Sequence, residues 1–558
     1  MHSSDAHPCG FHGVFRTADT VQAHRLEIFC HGNVYNTPDL CRLLGLATGT
    51  PLRQVLLAGW HRWAENLFER IDGVYSLALS DGLALHLYRD PSGLRNLYLD
   101  TGRWPEVSFG TDLNQLMRMP GAARRLARAS LHEYLRFGDI AAPRTIYEGV
   151  IAVEAGQLLR CSARGVEERP LQPQALDSPH PASFEEALEM LDKHLDRSVQ
   201  TRLSDAARPA SFLSGGIDSA LLCSMASRYR QDTTAVTVGF SGSAFDESPA
   251  AAQVAAHLGL AHEVLRFDRG QELSGFERLS AGAEQPIADP AAVPTLLAFE
   301  HCRGRFDVVL DGTGADEAVG SMPPRHVRLA VSYASVLPRA VRARLTRLLR
   351  SRPALAGYAP LVDFEHPADT MIRWRGFTRQ EIEDLCGDPV SFEATQFYKT
   401  HARYPRGAHF ERYSALINAM PSERLNQAIL VSGLDVRFPF WDHATDRFIR
   451  QLRTEFRYLP GHPKRILRSL LARHVPAEMW NAPKHGFDFP LASFLVDDSH
   501  ALVRRYLDTA FWRSRGVLSP ATVAQWAKGF MNGDMRLAFR VWALVMLGAW
   551  LEAHGDVH

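Results

Sequence analysis

Hydrophobic and polar positions follow three different rhythms along this chain, and the changes of rhythm mark its parts. In "GVYSLALSDGLALHLYRD" (Gly73 to Asp90) two strand-like runs flank Asp81-Gly82, a hairpin signal. "PSGLRNLYLD" and "VSFGTDL" follow as a turn and a further short strand, so the first part of the chain is predicted to be β-rich. "CSARGVEERPLQPQALDSPHPAS" (Cys161 to Ser183) is dense in Pro, Ser and charge and is read as a linker. "SFEEALEMLDKHLDRSVQTRL" then opens a helix. Ser183 and Glu186 form a capping box, and Leu188, Leu191, Leu195 and Val199 make a buried stripe.

Beyond that helix, strand and helix signals alternate. "PASFLSGG", "TTAVTVGF", "HEVLRF" and "FDVVLDG" read as strands, "DSALLCSMASRYR" and "SPAAAQVAAHLG" as helices. This alternation predicts a parallel sheet covered by helices. From about Ala330 the pattern is mostly helical, with Arg-rich runs expected to be solvated helix faces.

The length of 558 residues predicts two or three domains. Lys+Arg and Asp+Glu both number 62, which speaks against a dedicated nucleic-acid or anionic-membrane binder, so neither partner is expected. Seven scattered cysteines without CxxC spacing fit a reducing compartment better than a disulfide framework or a zinc site. No signal peptide is recognised at the start, and no uncharged apolar run approaches the roughly 18 residues of a membrane span; a cytoplasmic setting is expected.

The chemistry is concentrated in "SFLSGGIDSA" (Ser211 to Ala220), where a strand breaks into Ser214-Gly215-Gly216 and a helix begins. A helix N-terminus has unpaired amides and a positive dipole, and glycines let an anion approach the backbone; Ser214 and Ser219 add hydroxyls. Asp218 would repel phosphate unless Mg²⁺ bridged the two, so the motif implies a metal-bound phosphate chain. It is neither a Walker A loop nor a dinucleotide fingerprint, and the plain alternative is a ligand-free turn.

SGGIDS resembles the pyrophosphatase loop of N-type ATP pyrophosphatases, and the wider chain resembles the asparagine synthetase family. "TVGF" with "FDESPAAAQVAAHLGLAHEV", "EQPIADPAAVPT", "DGTGADEAVG", "LDVRFPFWD" and "APKHGFDFP" match its ordered motifs from Ser183 to about Leu495. The resemblance implies an α/β protein in three parts. Residues 1–165 would be an Ntn-hydrolase-like α+β domain and 166–182 a linker. Residues 183–558 would be a doubly wound synthetase domain of the adenine-nucleotide α-hydrolase kind, with a helical C-terminal part. It implies ATP and Mg²⁺ as cofactors, with Asp218 and Asp316 as metal ligands. Leu213, Ser214, Gly215, Gly216, Asp218, Ser219, Val238, Asp311 and Gly312 would form the nucleotide site. Lys484, and Lys464 as a second lysine, would face the developing negative charge.

The departures from the family shape the functional expectation. Cys9 in "CGFHGVF" resembles the family's glutaminase nucleophile but is not residue two, the R-G-P-D segment is absent, and N-G-E-I-Y-N has become His31-Gly32-Asn33-Val34-Tyr35-Asn36. A D-x-E has become Leu52-Arg53-Gln54. Glutamine hydrolysis needs nucleophile, oxyanion donor and substrate anchor, so the expectation is a vestigial glutaminase kept as a scaffold. In the synthetase half, Thr313, Asp435 and Asn426-Gln427 replace a glutamate, a glutamate and an Asp-Arg pair. This resembles β-lactam synthetase and lasso-peptide cyclases, in which an amine on the same substrate attacks an adenylated carboxylate. Asp435 is either the base for that amine or a structural partner of Arg437, and His485 is a lesser candidate. The expected activity is macrolactam formation in a lasso-type peptide, with a leader-binding protein and a protease as partners. Alternatives are an ammonia-using asparagine synthetase, a β-lactam-type cyclase, a tRNA-modifying enzyme and a non-catalytic scaffold.

Overall fold

The structure is a computed structural model. It describes residues 10–17, 26–171, 181–240, 246–352, 354–372, 376–388, 391–404, 409–417, 423–481 and 489–555.

The first part carries nine strands: β1 (His12–Arg16), β2 (Glu27–Val34), β3 (Gly73–Ser80), β4 (Leu85–Arg89), β5 (Tyr98–Arg103), β6 (Glu106–Gly110), β7 (Val150–Ala152), β8 (Gln157–Ser162) and β9 (Gly165–Pro170). They form two antiparallel sheets, in the orders β2-β3-β4-β8-β9 and β1-β6-β5-β7. Alternation along β3 explains the layering. Tyr75, Leu77 and Leu79 pack against Val55, Leu56 and Phe68 on the helical side, while Ala78 joins Leu87, Leu99 and Phe109 between the sheets. The hairpin at Asp81-Gly82 forms as expected, with Asp81 Oδ1 accepting the amides of Leu83 and Ala84 at 2.9 and 2.8 Å.

One boundary is corrected. β9 pairs with β8 from Ser162–Gly165 to Gln157–Pro170, so the first domain runs through Pro170 rather than ending at 165. The polar composition that suggested a linker belongs there to an edge strand, where Glu167, Glu168 and Arg169 face water. The rest of the expected linker, 172–180, lies outside the described residues.

The second part is built on a five-stranded parallel sheet: β10 (Pro209–Phe212), β11 (Thr234–Val238), β12 (Ala261–Leu265), β13 (Val308–Leu310) and β14 (Val436–Arg437), in the order β12-β11-β10-β13-β14. The sheet buries both faces. Ala210, Val236 and Val309 point into one core with Leu296 and Val541, and Ala235, Val308 and Leu310 into the other with Leu195, Leu222 and Leu467. The helix Phe184–Leu203 begins where its cap is read: Ser183 Oγ accepts the Glu186 amide at 3.1 Å. Among the described residues after Gly320 helices predominate, with β14 between them. One of them, within Met535–His554, is long and apolar enough to cross a membrane, but Val541–Leu551 are all buried inside the fold.

Candidate active site

Strand order reverses direction at β10, since β11 follows it on one side and β13 on the other. The rim at the C-terminal ends of β10 and β13 is therefore a switch point, where open α/β sheets place ligands. Ser214-Gly215-Gly216 leaves β10 at this rim and Gly216 caps the helix Ile217–Tyr229. The Ser214 amide donates to Ser219 Oγ at 3.0 Å, the Gly216 amide to Ser214 Oγ at 3.1 Å, and the Gly215 amide to Glu247 Oε2 at 3.3 Å. Glu247 was not among the expected site residues. Its signal in the sequence is the Asp246-Glu247-Ser248 run at which the helix Ser248–Leu258 begins.

The loop after β13 closes on the same point. A Cβ on Gly312 would stand 3.2 Å from Asp218 Cβ and 3.3 Å from the Ser219 nitrogen, so the glycine sets how nearly the two loops approach. Asp316 follows at the start of the helix Ala315–Val319. Between the carboxylates stands Lys464, whose Nζ lies 2.5 Å from Asp218 Oδ2 and 2.9 Å from Asp316 Oδ1. Burial works against the lysine charge, but the two aspartates outweigh it and raise the proton affinity of the ammonium above its ordinary value. Lys464 adopts φ +54° in front of the helix Arg465–Leu471, a conformation unusual for a residue with a side chain. Three loops from distant parts of the chain thus focus two carboxylates on one cationic position. Two carboxylates suit Mg²⁺, which takes few protein ligands and completes its shell with water and phosphate oxygens. Among the described residues no group of three or more His, Cys, Asp or Glu could hold a metal by itself, so the pair Asp218 and Asp316 would need a phosphate chain as co-ligand.

Other expected residues take less direct places. Leu213 buries its side chain in the core and offers the rim only its backbone, its carbonyl accepting Thr237 Oγ1 at 2.6 Å. Val238 ends β11 on the opposite face, beside Phe240. Asp311 is turned into its own loop: Oδ1 accepts the amide and the hydroxyl of Thr313 at 2.8 and 2.6 Å. Lys484, His485 and Cys9 lie outside the described residues.

Asp435 is corrected. It precedes β14, and its carbonyl accepts the Val309 amide at 3.0 Å, so it stands at the N-terminal edge of the sheet. Its level is that of Val308 and Pro209, and Ser214 lies five positions along the chain beyond Pro209. That is on the order of 16 Å of extended chain. Its carboxylate takes Arg437 at 2.8 Å and Asn33 Nδ2 at 2.9 Å. Arg437 in turn holds Asp205 and the Arg202 carbonyl. The residue belongs to the contact between domains, not to the rim where Asp218 and Asp316 stand. Its neighbours come from the segment that resembles the glutaminase: Asn33 binds Asp435, and the Tyr35 ring lies 4.2 Å from the Arg202 guanidinium.

Comparisons with known proteins agree with this division. The family model for asparagine synthase matches residues 190–552, and that for a glutamine amidotransferase domain matches 20–172. A Mycobacterium tuberculosis chain named for glutamine-hydrolysing asparagine synthetase is 24% identical over 94% of this chain and 84% of its own length. Asparagine synthetase 1 of Bacillus subtilis, also glutamine-hydrolysing by name, is 23% identical over 86% of this chain and 78% of its own. Amidase chry2 of Gibberella zeae is 26% identical over 48% of this chain and 42% of its own. Among solved structures, an ammonia-dependent NAD synthetase from Campylobacter jejuni aligns with 32% of this chain and 92% of its own at 14% identity and a TM-score of 0.19.

Proposed function

This chain belongs to the asparagine synthase family and is an ATP-dependent carbon–nitrogen ligase; from that premise we propose that it closes a macrolactam in a lasso-type peptide. A side-chain carboxylate oxygen attacks the α-phosphorus of ATP, the bond to the β-phosphate oxygen breaks and pyrophosphate leaves. The peptide's own amine then attacks the acyl carbon, AMP departs with its bonding electrons, and the amine gives up a proton to solvent or a base. Mg²⁺ bound by Asp218 and Asp316 would neutralise the phosphate oxygens. Gly215 and Gly216 present amides to the phosphates once Glu247 and the Ser214 hydroxyl give them up. Lys464, and Lys484 with it, supply fixed positive charge where negative charge develops.

The observation that carries the adenylation chemistry is the convergence of Asp218, Asp316 and Lys464 beside the Ser-Gly turn. The intramolecular acceptor is supported by the contacts of the glutaminase-like segment, whose Asn33 and Tyr35 reach Asp435 and Arg202 of the second domain. Holding acid and amine in one molecule replaces ammonia by effective molarity. In this reading the first domain is a catalytically silent scaffold, the setting is cytoplasmic, and a leader-binding protein and a protease deliver the peptide.

Incubation of the enzyme, those partners, ATP and a candidate precursor should give a product lighter by one water, seen by mass spectrometry. Unchanged peptide mass with processed precursor present contradicts it. The names of the bacterial relatives, asparagine synthetases that hydrolyse glutamine, favour asparagine as the product; a second reading is therefore asparagine formation from aspartate, here with ammonia, and production of asparagine from those two would select it.

A further inference from the structure

The chain is neutral as a whole, yet from Ala318 to Val362 it contains no Asp or Glu and eight arginines. This stretch forms two consecutive helices, Arg325–Ser335 and Arg339–Arg350, joined through Val336, Leu337 and Pro338. Their inner faces are accounted for. Val331 and Ala334 pack on Phe364, while Arg342 is buried, donating to the Phe364 carbonyl at 2.7 Å. Among the described residues nothing covers the outer faces. Tyr333 is 76% exposed and Val336 82%, with Leu329, Leu337, Val341, Leu348 and Tyr358 also exposed. Leu329, Tyr333, Val336 and Leu337 follow one another at helical spacing, so they form one stripe rather than scattered positions. Eight of the fourteen large apolar residues exposed in the described protein lie between Leu329 and Tyr358, a density far above that of an ordinary solvated surface.

We propose that this hairpin is a docking surface for an anionic lipid membrane, with Tyr333, Val336 and Leu337 entering the headgroup boundary and Arg344 and Arg347 meeting lipid phosphates. Amphipathic helices with arginine on the polar side and aliphatic or aromatic side chains on the other lie in that plane. Charge complementarity selects the occupant. The outward side chains of the two helices carry positive charge only, and the acid that follows them in the chain, Asp363, pairs with Arg350 at 2.8 Å, so the face matches a sheet of negative headgroups. The most exposed side chains protrude at the bend between the helices, a shape that a yielding bilayer receives without a preformed groove. The inference departs from the expectation that the Arg-rich runs are merely solvated and that no membrane is involved, and it does not depend on which amide the enzyme forms.

The test is sedimentation of the full chain with vesicles of phosphatidylglycerol and phosphatidylcholine, against vesicles of phosphatidylcholine alone. The protein should pellet with the first and remain in solution with the second, and added salt should release it. Tyr333→Ser with Val336→Ser, and separately Arg344→Glu with Arg347→Glu, should each lower the partition, the charge reversal by about thirtyfold or more, while pyrophosphate exchange into ATP stays at the parent rate. Protein that stays in solution with both vesicle types, as it would if the hairpin bound an acidic protein instead, overturns the proposal. So does binding that neither variant weakens.

Discussion

Replacing Glu284 with Gln tests the domain contact through its pH dependence. Glu284 is 1% exposed. Its carboxylate accepts Asn96 Nδ2, the Tyr98 hydroxyl and the Leu113 amide, each at 2.8 Å, all from the first domain, and Gln427 Nε2 at 3.2 Å from the second. Burial raises its pKa; the Leu113 amide and Asn96 oppose this, and Asp112 and Glu423 add to it, leaving it at about 7 against an ordinary 4.5. The folded protein therefore holds this proton more tightly than the unfolded chain does. Stability from this residue is complete below the unfolded pKa and is lost as pH rises toward the folded value. The shift corresponds to about 3 kcal/mol. Gln cannot titrate, and it sets an amide where only donors point, at a fixed cost of about 1–3 kcal/mol. The stability of Glu284→Gln relative to the parent should therefore rise by about 3 kcal/mol from pH 4 to pH 8. Urea unfolding followed by tryptophan fluorescence reads it, since Trp550 donates to the Ala283 carbonyl at 3.0 Å beside the site. A difference that stays constant with pH, or falls, would refute the reasoning.

Three further substitutions probe the rim and its opposite edge. Gly312→Ala forces a Cβ against Asp218 and the Ser219 nitrogen, so pyrophosphate exchange should fall about tenfold or more while the melting midpoint changes little. Lys464→Ala leaves Asp218 and Asp316 without their shared cation; calorimetry should show tighter Mg²⁺ binding in the absence of nucleotide, and exchange should drop about a hundredfold. Asp435→Asn weakens the tie to Arg437 and should cost about 1 kcal/mol of stability, read by urea unfolding, with turnover within about twofold of the parent; a hundredfold loss of turnover would contradict its placement away from the rim.

Much of the fold was legible because its signals are local. The turn residues of the Asp81-Gly82 hairpin, the Ser183 cap and the strand–helix alternation after it each constrain a few neighbouring residues, and each element formed where those constraints lie. The edge strand β9 was missed because a solvent-facing strand carries the same polar composition as a linker. From residue pattern alone the site was legible only as far as the Ser-Gly turn; Gly312, Asp316 and Lys464 entered through the family resemblance. Lys464 meets Asp218 across 246 positions of sequence, a meeting that helix and strand periodicity cannot foresee. Asp435 shows the converse. Its motif is one of the ordered motifs of the resemblance, but which edge of the sheet a residue occupies depends on strand register, and β14 begins after it rather than before it.

The most direct test of the account is to identify what ATP becomes during turnover. With a competent carboxylate present, AMP and pyrophosphate should appear in equal amounts with the amide product, and Asp218→Ala should abolish both. ADP with orthophosphate in their place, or undiminished pyrophosphate release by the Asp218→Ala protein, would contradict it.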